Sequence, residues 1–295
     1  MKPHLVLALI LLPALACAEP QREITWVLLN WPPVFILFDG QTPAAPNELG
    51  SGMGEQQLRM MAERLPQYRH RYVRSDPQRA FGEMRRGMSL CFYPALKTED
   101  RRTYSYALPA AITTPLQLVV REDQRARIAP GPAGVSLPAL LARNDLKGYV
   151  QKGRSYAQAV DTILDAPASQ AKRITLPRVG HLQQLIDSGQ VDYTLEYPYV
   201  IEYENKVARF HNDLVSVPIA ELEEPVVWHV ACTRNNWGKN LMRDLDPVLR
   251  ELATNADWRE ISGQWLDPAT QRLYHARFKA FYDWRQRVTL KELQP

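Results

Sequence analysis

The sequence has few of the features that mark specialised classes of protein. It contains only three cysteines in 295 residues, which excludes a miniature fold held together by many disulfides. Lysine and arginine number 36 against 32 aspartates and glutamates, and a net charge of +4 argues against a nucleic-acid binder. With 45% hydrophobic and 23% charged residues, the composition also excludes long disorder. What remains is an ordinary globular protein, long enough for two folding units.

Long hydrophobic runs are absent after the first eighteen residues. Those residues comprise a cationic start (Met1 to His4), an apolar stretch of 11 residues (Leu5 to Leu15) and the small residues Ala16-Cys17-Ala18. This is the pattern of a signal peptide, and we predict export with cleavage after Ala18, leaving 277 residues. A membrane anchor is the weaker interpretation, because a spanning helix needs roughly 20 apolar residues and Pro13 interrupts this stretch.

Motifs for metal binding or covalent catalysis are missing as well. Ser51 lies in a glycine-rich segment without the spacing of a nucleophile elbow, and no Lys-Ser/Thr pair follows to make a phosphate loop. No two histidines stand at helical ligand spacing, so we predict no metal site and no cofactor. The histidines that remain after cleavage are His70, His181, His211, His229 and His275.

Two cysteines remain after the predicted cleavage, Cys91 and Cys232. Each lies in a short apolar, strand-like run. In an oxidising compartment they could form a single disulfide, and in a packed core they could equally be two buried thiols. The sequence leaves both alternatives open.

Predicted strands and helices alternate along the chain. Ile24 to Leu29 is a buried strand, and a glycine-rich turn then opens an amphipathic helix. This order of strand and helix repeats and then restarts after a strong strand at Pro115 to Arg121, which predicts an α/β fold. Near the end, a long helix should be kinked or split at Pro247. An aromatic and basic segment from Phe278 to Trp284 is expected to form a helix lying on the body of the protein.

Four stretches, in order, resemble the bacterial extracellular solute-binding proteins of family 3. They are Trp31-Pro32-Pro33 after the first strand, the run from Arg85 to Arg121 that contains Thr98-Glu99-Asp100-Arg101, the turn from Gly148 to Tyr156, and Ser188 to Asp192. Each motif is weak by itself. Their order makes the resemblance specific, and it covers nearly all of the chain after the signal peptide.

The resemblance implies an α/β, two-lobed periplasmic-binding-protein fold of type II with two crossing hinge strands. Lobe I would comprise residues 22–118 and 228–295, and lobe II residues 119–227. The family function would be capture of a small molecule in the cleft between the lobes, by hinge closure, for uptake through an ABC transporter. We therefore expect a monomer in the periplasm whose partners are a small-molecule ligand and a transporter permease or a sensor.

The site residues carried over from the family favour an anion. Arg101 matches the arginine that holds the ligand carboxylate, with Thr98 in the same motif. Trp31 would form an aromatic wall, or be ordinary core. Residues Arg154, Ser155 and Tyr156 would open a helix whose unpaired N–H groups face the cleft, with the Ser155 hydroxyl as a further donor or as a cap.

Other positions depart from the family pattern. The aspartate that pairs with a ligand ammonium falls on Tyr197, next to Glu196; another frequent aspartate falls on Gly54, and a serine falls on Leu96. These departures favour an anionic or amphipathic ligand over an α-amino acid, unless Glu196 binds the ammonium.

Two alternatives to transport remain. The same fold is found in periplasmic cyclohexadienyl dehydratases, and Glu196, if desolvated, could act there as a general acid. A ligand-sensing module that presents its closed form to a partner protein is the other alternative.

Overall fold

The computed structural model describes residues 22–38, 41–131, 134–152, 154–175, 181–207 and 210–293. The predicted signal peptide with its cleavage site after Ala18 lies outside these residues, as does Gly153 in the predicted lobe II turn. Within these ranges, no helix is both long enough and apolar enough to cross a bilayer.

The described residues form ten strands and twelve α-helices. The strands are β1 (Arg22–Leu28), β2 (Tyr68–Arg74), β3 (Cys91–Ala95), β4 (Ser105–Thr113), β5 (Gln117–Arg121), β6 (Tyr149–Gln151), β7 (Lys172–Ile174), β8 (Thr194–Glu196), β9 (Leu214–Val217) and β10 (Val226–Thr233). The helices are α1 (Met53–Glu63), α2 (Pro77–Arg85), α3 (Glu99–Arg102), α4 (Arg125–Ile128), α5 (Leu137–Leu141), α6 (Gln158–Leu164), α7 (His181–Asp187), α8 (Pro198–Val207), α9 (Asn236–Leu252), α10 (Ala256–Ile261), α11 (Pro268–Arg285) and α12 (Leu290–Leu293).

A five-stranded sheet with the order β2-β1-β3-β10-β4 forms the larger half of the molecule. β1 pairs in parallel with β2 and β3, because α1 and α2 return the chain to the same end of the sheet. The consecutive residues Trp26, Val27 and Leu28 are all buried, as expected for a parallel strand covered on both faces. β10 returns from the other half and runs antiparallel to both β3 and β4.

A disulfide joins Cys91 of β3 to Cys232 of β10. The two residues face each other in the register of the paired strands, so the bond lies inside the larger sheet. The sequence left a disulfide and two buried thiols open, and the structure has the disulfide.

The smaller half contains the three-stranded sheet β8-β5-β9 and the parallel pair β6-β7. β5 lies in the middle and pairs antiparallel with both neighbours. Within the described ranges, the chain passes between the two larger sheets twice, at residues 114–116 and 218–225. The predicted fold class, two α/β units joined by two crossings, is confirmed. The lobe boundaries at 118/119 and 227/228 stay a prediction.

The C-terminal segment packs on the larger sheet, as the sequence predicted for its aromatic residues. Phe281 and Tyr282 of α11 are buried. Arg285, which is fully buried, donates to the backbone oxygen of Pro109 and to the carboxylate of Asp246. This helix is therefore held on both its apolar and its polar side.

The sequence predicted a kink or a split at Pro247, and the helix is not split there. α9 runs through it as one helix of 17 residues. Pro247 lies on the exposed face, where water can reach the Arg243 carbonyl that loses its intrahelical partner, while the neighbouring Leu245 and Leu249 are buried.

Candidate functional site

A cavity of about 350 Å³ lies between the two halves of the molecule. Apolar and aromatic side chains of the larger half line one side, including Phe81, Phe92 and Trp228. Strand β8 and the loops next to β6 and β8 line the other side, where they contribute Glu196, Arg154 and Tyr197. Of the predicted site residues, the cavity lining includes Trp31, Arg101, Arg154, Ser155, Glu196 and Tyr197.

Arg101 is held at the cavity by the short helix α3. Thr98 caps this helix, because its hydroxyl accepts the backbone N–H of Arg101 at 3.2 Å. The guanidinium donates from Nη1 to the Leu96 backbone oxygen at 2.8 Å and lies over the Phe81 ring, 4.0 Å from its centroid. Thr98 therefore orients the arginine from behind and is not itself part of the described lining.

The positive charge of Arg101 lacks a carboxylate partner within the part of the chain that the structure describes. Its neighbours differ, since Arg102 forms an ion pair with Glu99 and Arg85 forms one with Asp100. Arg101 is half-buried, and this burial lowers the pKa of its guanidinium. A partly desolvated cation without a counter-charge, at the wall of a cavity, is suited to bind an anion.

The positive charge of Arg154, unlike that of Arg101, is paired with a carboxylate. Its Nη1 and Nη2 donate to the two carboxylate oxygens of Glu196, each at 2.6 Å, and Glu196 also accepts the Tyr197 N–H at 2.9 Å. Burial by itself would lower the pKa of the Arg154 guanidinium, but the adjacent Glu196 carboxylate raises it overall. Glu196 therefore has its charge balanced within the protein, which argues against its binding a ligand ammonium.

Three aromatic rings surround the Arg154 guanidinium. Its Cζ lies 5.7 Å from the ring centroid of Trp31, 4.9 Å from that of Tyr156 and 5.9 Å from that of Tyr197. We call Trp31, Tyr156 and Tyr197 the aromatic cage. The Tyr197 ring also stacks on Tyr199, at a centroid distance of 5.1 Å. These contacts fix the aromatic side of the cavity.

The predicted anion site at a helix start is wrong. α6 begins at Gln158, not at the turn containing Ser155 and Tyr156. The carboxylate of Asp161 accepts the Ser155 hydroxyl at 2.7 Å and the Tyr156 N–H at 3.0 Å, while the Tyr156 hydroxyl accepts the Gln151 N–H. Because Asp161 already supplies the negative charge, these donors are not available to a ligand.

Comparison with solved structures identifies the fold. A probable amino-acid ABC transporter extracellular-binding protein from Bacillus subtilis superimposes with a TM-score of 0.65 at 13% identity, over 85% of this chain and 100% of that one. A putative L-cystine ABC transporter protein from Listeria monocytogenes gives a TM-score of 0.61 at 14% identity, over 84% and 96%. The chain has the fold of these substrate-binding proteins.

An ancestral amino-acid-binding protein, described as a precursor of cyclohexadienyl dehydratase, has the same fold, with a TM-score of 0.63 at 16% identity, over 84% of this chain and 96% of that one. No protein-family model matches the sequence, and no curated protein matches it either. At these identities the similarity establishes the substrate-binding-protein fold alone, because the residues of the site and not the fold determine the ligand.

The packing of Phe35 explains why Gly54 carries no side chain, one of the predicted departures from the family pattern. At Gly54, an added Cβ would lie 2.8 Å from Cζ of Phe35. The Phe35 ring therefore occupies the space next to this position, and an aspartate there would collide with it. Phe35, Leu96 and Tyr197 all line the cavity and make this part of its wall apolar or aromatic.

The sequence did not identify several cavity residues. Phe81 and Phe92, whose rings lie 4.9 Å apart, have the sequence pattern of ordinary apolar positions in a helix and a strand. Trp228, Gln151 and Gln183 also line the cavity and are not among the predicted site residues. Hydrophobic periodicity shows that a side chain points inward, but it does not distinguish a packed core from the wall of a cavity.

Proposed function

We propose that this protein is an exported solute-binding protein of the family 3 type, which captures a small anionic or amphipathic molecule for ABC-type uptake. Arg101 carries the proposal: it lines the cavity between the two halves, it is half-buried, and no carboxylate in the described ranges balances its charge. The fold shared with binding proteins of amino-acid ABC transporters supports this function. Lobe I (residues 22–118 and 228–295) and lobe II (residues 119–227) would close on the ligand.

The ligand chemistry follows from the charges at the wall. The planar guanidinium of Arg101 suits a carboxylate, which it can bind with two hydrogen bonds. Within the described ranges, two carboxylates line the cavity: Glu196 is paired with Arg154, and Asp76, which has no ion pair, lies exposed and caps α2 by accepting the N–H of Arg79. The apolar surface of Phe81, Phe92 and Trp228 would receive a hydrophobic body.

The predicted leader and the disulfide between Cys91 and Cys232 support the periplasm as the compartment. In that compartment the mature chain would act as a monomer that delivers its ligand to a transporter permease. A sensor protein that recognises the liganded form is an alternative partner.

The first experiment is a thermal-shift screen of the mature protein with carboxylic acids, amino acids, polyamines and peptides. A ligand at a hundredfold excess over its Kd stabilises the folded state by about 2.7 kcal/mol. We expect aliphatic or aromatic carboxylates to raise the melting temperature, and expect Arg101→Ala to remove this shift. Arg102→Ala is the matched control, because Arg102 is paired with Glu99 and does not line the cavity. A screen without any shift, or a shift that survives Arg101→Ala, would contradict the proposal.

The dehydratase alternative makes a different prediction. A general acid must be free to deliver a proton to the substrate, whereas both carboxylate oxygens of Glu196 accept hydrogen bonds from the Arg154 guanidinium. We therefore expect no turnover of prephenate or arogenate by the pure protein. Turnover that disappears in Glu196→Gln would instead support the enzyme.

A further inference from the structure

The aromatic cage and Glu196 together have the composition of a cation-binding site. Faces of tryptophan and tyrosine attract a cation that lies within about 6 Å of their centroids, and all three rings of the cage meet this distance. The buried carboxylate of Glu196 adds the counter-charge. Trp31, Glu196 and Tyr197 line the cavity, so the site opens to the space where a solute would bind.

This cation site is filled by the protein itself. We propose that Arg154 is a tethered cation that occupies the cationic subsite of the cavity, and that it thereby excludes solutes carrying an ammonium or guanidinium group. The inference rests on the proposed function, since it concerns which solutes the cavity accepts. It makes Arg154 a residue that determines specificity rather than one that binds the anion.

The exclusion has a physical basis. A side chain attached to the wall competes at a high effective concentration with any free cation. An entering cation would also have to displace the guanidinium from Glu196 and from the aromatic cage, leaving one partly buried positive charge without a partner. Selectivity of this kind arises from the penalty on the wrong solute, not from a contact with the right one.

The geometry also indicates how the site can be emptied. The Arg154 side chain is about one-fifth exposed, and the residue precedes α6 in a loop outside the regular elements. Shortening it to alanine removes the guanidinium and leaves Glu196 and the three rings in place. Ethylguanidinium has the atoms that this substitution removes, so it should fit the vacated space.

The test is chemical rescue measured by thermal shift and by calorimetry, with ethylguanidinium chloride against sodium chloride at equal concentration. We expect ethylguanidinium to bind and stabilise Arg154→Ala, and to leave the wild-type protein unshifted. The matched control is the double variant Arg154→Ala/Glu196→Gln, which has no buried carboxylate. It should bind the probe about tenfold or more weakly, because a charge-assisted pair is lost.

Equal binding by the single and double variants, or no binding by either, would overturn the proposal. If Arg154→Ala does not fold, Arg154→Gln replaces it, with guanidinium chloride at low concentration as the smaller probe and urea as the uncharged control. The outcome is independent of the Arg101 experiment. If ethylguanidinium binds Arg154→Ala but the screen finds no carboxylate ligand, the cation subsite is supported and the proposed function is contradicted. If a carboxylate ligand is found but ethylguanidinium does not bind, the proposed function is supported and the cation subsite is contradicted.

Discussion

Arg101 and Arg154 face the same cavity, but their surroundings give them different chemistry. Arg101 lies over Phe81 and has a backbone carbonyl as its close acceptor, so its charge is available to an anion. Arg154 donates hydrogen bonds from both of its terminal nitrogens to the carboxylate of Glu196. The sequence predicted both arginines as site residues, but it could not show that one is paired with a carboxylate and the other is not. The partner of Arg154 is a carboxylate 42 positions away in the chain.

Glu204 is a buried carboxyl group that should make stability depend on pH. Its side chain is 8% exposed and Oε2 has no hydrogen-bond partner. Burial, together with the charge of Glu196, raises its pKa from 4.5 to about 8. Because the folded state holds the proton more tightly, this group stabilises the fold fully below pH 4.5, and the contribution is lost as the pH rises towards 8.

We therefore expect Glu204→Gln to flatten the pH profile of unfolding. Between the two pKa values the wild-type protein should lose up to about 1.4 kcal/mol per pH unit relative to the variant. Denaturant unfolding at several pH values from 5 to 8.5 measures the difference. Glu202→Gln, on the same helix α8 but less buried, is the control, and equal slopes for wild type and Glu204→Gln would contradict the assignment.

Helices around the site show how local side chains decide where an element begins. α3 begins after Thr98, and α6 begins at Gln158, later than the start predicted at Arg154 to Tyr156. In the second case Asp161, inside the first turn, reaches back to Ser155 and Tyr156 and fixes the preceding loop. The loop thereby places Arg154 opposite Glu196.

Removal of the Asp161 carboxylate should loosen this loop. We expect Asp161→Ala to lower the free energy of unfolding by about 1 kcal/mol, as loss of a capping group does. Asp165→Ala at the other end of α6 is the control, because its exposed ion pair with Arg173 contributes little. Denaturant unfolding of both variants gives the comparison, and an equal loss in the two would show that Asp161 has no special role.

The elements that the sequence predicted well are those with strong periodicity. The buried strand β1, the amphipathic helix α1 and the order of the two units follow from hydrophobic patterns and from the four family-like stretches. The helix start before Gln158 and the break at Pro247 were mispredicted, because in each case a neighbouring carboxylate or a buried face overrode the local signal. Contacts between Arg154, Trp31 and Glu196 join segments far apart in sequence, so no local pattern contains them.

The disulfide found within the described residues cross-links the larger half of the molecule. The disulfide between Cys91 and Cys232 spans 141 residues and encloses the complete smaller sheet, yet both cysteines belong to the larger sheet. It therefore restricts the unfolded chain without joining the two halves directly. The two passages at residues 114–116 and 218–225 remain free of it.

Loss of the disulfide should therefore lower the stability of the protein and leave its affinity for a ligand nearly unchanged. We expect Cys91→Ala/Cys232→Ala to lower the free energy of unfolding by about 2–4 kcal/mol, because the unfolded chain gains the freedom of a long open loop. The Kd of any ligand found in the screen should stay within about twofold, since the larger sheet keeps its strand pairing and the cavity contains neither cysteine. Denaturant unfolding and calorimetric titration of the variant, compared with the wild-type protein before and after reduction, measure both quantities. A large loss of affinity with little loss of stability would mean that the bond acts on closure of the cavity and not on the unfolded chain.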